Sequence, residues 1–378
     1  MKNSLGLYIH TPFCKSKCPY CDFYSFRGSA EDRKIYADSV IDEIKTLSRT
    51  GGFLKNREKI DFDTVYLGGG TPSLLGADAG RIIGTAEKYL NVSDDAEITV
   101  EINPSSSSDE FFDSIKGKVN RVSIGLQSAV DSERKKLGRI SGKKDAAETI
   151  KKSKEAGIEN ISLDIMIGVP CQTFASLDET ADFCLSSGVT HISAYMLTLE
   201  DGTPFYNMKN NLHLPDEDET ADMYLHLVDK LKKNGFKQYE ISNFSVPGFE
   251  SRHNLKYWND EEYLGIGPSA HSFVDGTRFS FPRDLKYFID GGKPEIYDTG
   301  GDKAEYAMLR LRLSDGIRND LFSEKFGENI PSGAFETAKK WEKTGHVEQD
   351  GERISLTPKG FLISNIIIED ITEAVGQI

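Results

Sequence analysis

Long apolar stretches are missing from this 378-residue sequence, and with no run of about 18 apolar residues no membrane-spanning helix is expected. The opening MKNSLGLYIHTPFC has one early lysine. It has neither the apolar core nor the small-residue cleavage site of a secretory signal, so a cytoplasmic protein is expected. Basic residues are in the minority, with 46 Lys and Arg against 60 Asp and Glu and a net charge of −14. Phosphate backbones and anionic membrane surfaces repel such a chain, so nucleic acid is not expected among its partners. Cysteine is scarce and odd in number, at five, which argues against a disulfide framework. Internal repeats and low-complexity tracts are also lacking. Hydrophobic residues at 38% and charged residues at 28% are ordinary usage, so a disordered or fibrous chain is not expected. The length points to two or three domains.

Six β-like runs recur in the first half: Leu5–His10, Thr64–Gly69, Glu97–Asn103, Arg121–Gln127, Asn160–Gly168 and His191–Leu197. Their near-continuous apolar character suits strands buried on both faces of a parallel sheet. Helical periodicity lies between them. Residues 31–49 place Tyr36, Val40, Ile41, Ile44 and Leu47 on one face, and residues 145–156, 175–187 and 217–235 read the same way. Six strand–helix units predict an open or partial (β/α)6 barrel, with a doubly wound sheet as the alternative. Residues 1–240 are read as this barrel. Residues 241–300, rich in Gly, Pro, Asn and aromatics, are read as loops and short strands capping it. Asp298–Asp302 reads as a linker, and residues 301–378 as a small winged-helix-like α+β domain.

Three of the five cysteines crowd into Cys14-Lys-Ser-Lys-Cys18-Pro-Tyr-Cys21, just past the first strand. In barrels the active site is built at that end of the strands. Three thiolates in one loop can hold three corners of an iron–sulfur cube, leaving one iron for an outside ligand. The alternative is a structural zinc site with His10 as fourth ligand. Cys171 and Cys184 read as a buried or an inert thiol.

The other strand ends carry polar groups at the same predicted face. Strand two ends in Gly68-Gly69-Gly70-Thr71-Pro72, which permits close backbone approach to a ligand or simply makes a tight turn. Strand three carries Glu101 and strand four ends in Gln127, with Arg139 twelve residues later. Strand five holds Asp164, an acid in an apolar run that needs a partner. Arg139 is one such partner, and a structural Arg139–Asp164 salt bridge is the plain reading of the two.

Tyr8-Ile-His-Thr-Pro-Phe-Cys14, followed by C-x3-C-x2-C, resembles the radical S-adenosylmethionine (SAM) superfamily, and the likeness extends over essentially the whole chain. The resemblance implies a partial barrel and a 4Fe-4S cluster held by Cys14, Cys18 and Cys21. It also implies SAM on the open iron, cleaved by one-electron reduction. In the porphyrin-related branch, the positions matching Tyr8, Tyr20, Gly69, Gly70, Thr71, Glu101, Gln127, Arg139 and Asp164 line the SAM site.

Two functions compete in that branch: oxygen-independent coproporphyrinogen III dehydrogenase, and a heme chaperone family. The dehydrogenase pattern continues to a fourth cysteine, where this chain has Phe23, and it has a long extension before the motif, where only seven residues precede Tyr8. His253-Asn-Leu-Lys-Tyr257-Trp258 matches the HNxxYW signature of the chaperones. The resemblance therefore implies heme binding, with His253 as a candidate axial ligand and His10 and His271 as competitors. A plain alternative is a histidine and two aromatics closing the barrel. The expected partners are heme, a heme-acceptor protein such as a respiratory one, and a second copy of the chain. Coproporphyrinogen dehydrogenase activity is not expected.

Overall fold

The computed structural model describes residues 4–54 and 60–376. Six strands form the centre of its sheet: β1 (Ser4–Thr11), β2 (Asp61–Gly69), β3 (Asn91–Ile102), β4 (Arg121–Gln127), β5 (Asn160–Ile167) and β6 (His191–Met196). Each runs parallel to the next. They lie side by side in sequence order. A doubly wound sheet needs a reversal of strand order, so that alternative is overturned. The sheet is strongly curved, because Phe205, past β6, donates its N–H to the carbonyl of Pro19, past β1, at 3.0 Å. No ladder joins β6 to β1. The result is a partial (β/α)6 barrel.

The expectation that these strands are apolar on both faces is corrected by their alternation. In β4, Val122, Ile124 and Leu126 join the hydrophobic core. Arg121 and Ser123 instead meet the inward-facing groups of neighbouring strands, Ser123 donating to Asp164. On β5, Ser162 and Asp164 share that inner face, as do His191, Ser193 and Tyr195 on β6. The lumen is therefore polar, unlike the branched aliphatic filling of a closed barrel.

Helices cover the outer face. Ala30–Thr50 buries Tyr36, Val40, Ile44 and Leu47, begins at a Ser29 capping box and ends at Gly51 in the left-handed region. Each of those side chains contributes roughly 1.5–3 kcal/mol by leaving water. Ala77–Tyr89, Asp109–Ile115, Lys143–Glu155, Phe174–Ser186 and Glu217–Lys233 follow. Asp109–Ile115 is seven residues long, too short to show a helical period in sequence.

The short strands of residues 241–300 do more than cap the barrel: they join its sheet at both edges. Beyond β6 lie β7 (Lys237–Gln238) and β8 (Asn243–Ser245), with β8 antiparallel to β6. Beyond β1 lies β9 (Tyr263–Ile266), parallel to it. Antiparallel β10 (His271–Val274), β11 (Thr277–Ser280) and β12 (Glu295–Thr299) complete twelve strands. The expected linker is also tied down. Gly300 N–H bonds the Gly276 carbonyl and Asp302 caps the next helix.

The C-terminal part runs helix Lys303–Arg310, β13 (Ile317–Arg318), helices Asn319–Phe326 and Ser332–Glu342, β14 (Val347–Gln349), β15 (Arg353–Leu356) and helix Ser364–Gly376. Its sheet order, β13–β15–β14, is that of a winged helix. Among the described residues no helix is long and apolar enough to cross a membrane.

Candidate cofactor site at the mouth of the sheet

The C-terminal ends of β1–β6 open into a mouth. Past β1, Phe13 is fully buried and pairs as an isolated bridge with Phe26, so the loop between them closes on itself. Cys14 N–H bonds the Phe26 carbonyl and Cys21 N–H the Cys18 carbonyl. All three cysteines are partly accessible. Burial raises the Cys21 thiol above its ordinary range, and the nearby Cys18 and Cys14 raise it further. Lys17 braces the loop through the Phe23 carbonyl at 2.9 Å, and Lys15 through that of Ser105.

The glycine run seats this loop. Gly70 N–H bonds the Thr11 carbonyl at 2.7 Å, and a Cβ on Gly70 would stand 2.6 Å from the Phe13 carbonyl. Thr71 Oγ1 lies 3.5 Å from Cys14 Sγ. Gly69 adopts φ 104°, a region open to glycine, and donates its N–H to Glu101 at 3.0 Å. Tyr66 hydroxyl donates to the same carboxylate at 2.8 Å. Burial pushes the Glu101 carboxyl up to about 7, against the hydroxyl of Tyr66.

Across the mouth, Arg139 donates to the Gly125 carbonyl at 2.6 Å and reaches Cys18 Sγ at 3.8 Å. Tyr20 sits against both Arg139 and Cys18. Arg139 Nε is buried with no partner. The plain alternative for Arg139 and Asp164, a salt bridge between them, is not formed: Arg139 bonds the Gly125 carbonyl. Asp164 accepts instead from Ser123 at 2.8 and 3.0 Å and from Ser162 at 3.3 Å. Its carboxyl is raised by burial, against the Ser123 and Ser193 hydroxyls. Gln127 ends β4 at φ 69°, beside Gly125 and the Arg139 guanidinium. Tyr195 exposes 43% of its surface although protein surrounds it, so that surface faces the interior of the curved sheet.

Two expectations about histidine need correction. His10 is only 4% exposed and commits both ring nitrogens, Nδ1 to the Tyr8 hydroxyl at 3.0 Å and Nε2 to the Tyr24 carbonyl at 2.9 Å. Burial lowers it to about 4. It is not free to complete a zinc site, and among the described residues no three His, Cys, Asp or Glu groups converge on a single metal ion. Three thiols spread around a loop, a guanidinium with one unpaired nitrogen and a glycine cradle fit a larger anionic cluster and its ligand better.

His253 lies at the other end of the lumen, with 1% of its surface exposed. Its Nδ1 meets Thr64 Oγ1 and its Nε2 the Tyr257 hydroxyl, both at 2.8 Å. Glu97 accepts the backbone N–H groups of Arg252 and His253, at 2.9 and 3.0 Å. A Cβ on Gly6 would come within 3.0 Å of the imidazole and of Lys256, so the helix Arg252–Trp258 is packed directly on β1 and β2. The HNxxYW segment is thus a floor. An axial-ligand role for His253 does not match a ring that is enclosed and doubly bonded.

Sequence reasoning missed the floor residues Arg121, His191 and Tyr239 and the wall residues Tyr66 and Tyr195. His191 is fully bonded, Nδ1 to Ser162 and Nε2 to Tyr239, both at 2.8 Å. Arg121, 2% exposed, faces Glu97, and its Nε and Nη1 have no partner. Their signal was present in the alternation R-V-S-I-G-L-Q of β4 and H-I-S-A-Y of β6.

Comparison with known proteins fits this geometry. The profile of the Radical SAM superfamily matches residues 8–184, and that of the HemN C-terminal domain residues 304–363. The heme chaperone HemW of Bacillus subtilis (strain 168) is 34% identical over 372 residues, covering 95% of this chain and 96% of the relative. The heme chaperone HemW of Escherichia coli (strain K12) is 33% identical over 364 residues, covering 90% and 94%. The solved structure of coproporphyrinogen III oxidase (HemN) from Escherichia coli, a radical SAM enzyme, superposes with a TM-score of 0.82 at 18% identity, over 99% of this chain and 90% of that one. At that identity the likeness establishes the fold.

Proposed function

This chain belongs to the heme chaperone HemW family of the radical SAM superfamily, and from that premise we propose that it binds heme and passes it to an acceptor protein. The observation that carries this reading is the near-full-length match to proteins described as heme chaperones. Phe23, standing where the dehydrogenase pattern has a fourth cysteine, agrees with it; its side chain is exposed at the edge of the loop.

In this reading Cys14, Cys18 and Cys21 hold a 4Fe-4S cluster, and SAM lies in the upper lumen among Tyr8, Tyr20, Gly69, Gly70, Thr71, Glu101, Gln127, Arg139 and Asp164. Cluster and SAM together supply one-electron chemistry when bound. The chain's own residues set the conditions for it. Arg139 and Lys17 place positive charge beside the thiolates. Glu101, held by Tyr66 and Gly69, offers a carboxylate to an ammonium group. The floor excludes water from below. We place the protein in the cytoplasm, with an acceptor and a second copy of the chain as its partners.

The test is an anaerobic heme titration of cluster-reconstituted protein, followed by transfer to an apo-acceptor. Saturable binding near one heme per chain and loss of heme to the acceptor are expected. A chain that binds no heme yet decarboxylates coproporphyrinogen III would be an oxidoreductase instead.

A further inference from the structure

We propose that heme docks on the sheet edge formed by β10–β12, beside the cluster loop, with His271 as the axial ligand and Arg283 as an anchor for a propionate. This rests on the heme-chaperone reading and gives it a site. The sequence has seven histidines. His10, His191 and His253 are buried with both ring nitrogens bonded. His271 is exposed, and one nitrogen is engaged: Nδ1 lies 3.0 Å from the Tyr297 hydroxyl. When Nδ1–H donates to that hydroxyl, the lone pair of Nε2 points outward, the arrangement that orients a metal-ligating imidazole. Bonding to iron then needs only donation of that lone pair, with no proton or electron to account for.

Three features separate His271 from the other accessible histidines. Its position is at the mouth: β10 begins there, and a Cβ on the preceding Gly267 would stand 2.7 Å from the His10 carbonyl. It has an aromatic neighbour, the half-exposed Tyr297 ring, edge-on and 5.5 Å from the imidazole. Its electrostatics are cationic, since Arg283 and Arg278 both face it in a chain that is acidic overall. Arg278 is committed to Glu305, but Arg283 is exposed and pairs at 3.3 Å with Asp22, itself exposed and next to Cys21. An exposed guanidinium with one weak surface pair is free to take a carboxylate bidentately. His226 sits instead in a pair with Asp178, which would repel propionates.

The experiment compares heme titrations of wild type, His271→Ala, Arg283→Gln and His213→Ala, all cluster-reconstituted under anaerobic conditions. The Soret band, the ferric spin state and Kd are read, with iron–sulfur content and circular dichroism as folding controls. His271→Ala should shift the Soret band, change the spin state and weaken binding on the order of tenfold. Free imidazole should restore the wild-type spectrum. Arg283→Gln should weaken binding a few-fold, on the order of one charge-assisted hydrogen bond, without moving the band. His213→Ala should do neither. A wild-type spectrum and affinity in His271→Ala, or their loss in His213→Ala, would overturn this site and leave the chaperone reading intact. Failure of the wild-type chain to bind heme would overturn both.

Discussion

At the floor of the lumen, His191 and His253 commit every ring nitrogen to a protein hydroxyl, and the Glu97 carboxylate closes two backbone donors. At the mouth the pattern is reversed: Arg139 Nε is buried without a partner, and the three cysteines of the loop are free and partly accessible. Both ends are polar, so polarity alone does not mark the site. Saturation does: a satisfied network fixes one structure, while unsatisfied groups held on rigid strands await a ligand. Arg121 and Thr99, paired in register at the floor, depart from this: two Arg121 donors facing Glu97 and Asp164 and the Thr99 hydroxyl have no partner; a bound water satisfies such groups in many interiors.

The largest expected effect of breaking this contrast is at the cysteines. Cys18→Ala with Cys21→Ala should abolish iron and sulfide binding after reconstitution while leaving circular dichroism and the urea midpoint unchanged. Unfolding of that variant would make the mouth as structural as the floor. Next comes His253→Ala, which strips partners from Thr64 and Tyr257 and opens a cavity. A loss of about 2–4 kcal/mol in urea unfolding is expected, with the heme spectrum of the folded fraction unchanged.

Glu101→Gln is expected to be smaller in stability and specific in binding. SAM affinity, measured by equilibrium dialysis, should fall on the order of ten- to a hundredfold. The sign of its pH effect is fixed by its raised pKa. Glu101 rises from 4.5 to about 7 on folding, so its contribution is fully present below 4.5 and lost as pH rises through about 7. Between pH 5 and 7.5 the Gln variant should therefore lose less stability than wild type in urea unfolding. The smallest effect is expected from Phe23→Cys, because that side chain is 63% exposed. Iron per chain should stay at the three-cysteine value; an increase would show that a fourth thiol can enter the site.

Much of the barrel was legible because its strands are short apolar runs bounded by Gly, Pro or Asn, and the cysteine loop because thiols at that spacing have few other uses. The edge strands were not. Tyr263–Ile266 and Asn243–Ser245 are three or four residues long, and long-range pairing with β1 and β6 makes them strands. The Arg139–Asp164 pairing failed for a similar reason. Opposite charges in sequence suggested a bridge, but Ser123, on the neighbouring strand opposite Ser162, and Ser162, two residues before Asp164 on its own strand, satisfy the carboxylate instead. The bonding of His253 was not legible because a motif names residue types, whereas the bonds a ring already makes depend on residues such as Thr64, far away in sequence.

The pairing of β1 with β9 also orders events during synthesis. β1 ends at Thr11, whereas its second neighbour begins at Tyr263, and the Tyr24 hydroxyl in the cysteine loop receives its partner only from Leu285. At ribosomal speeds of about 5–20 residues per second, roughly 10–40 s separate the completion of β2 from the arrival of that flank. Throughout that interval the nascent chain presents its three thiols with one side of their loop uncovered. Iron and sulfide offered to those thiols on the growing polypeptide would meet an open loop until the last edge of the sheet docks.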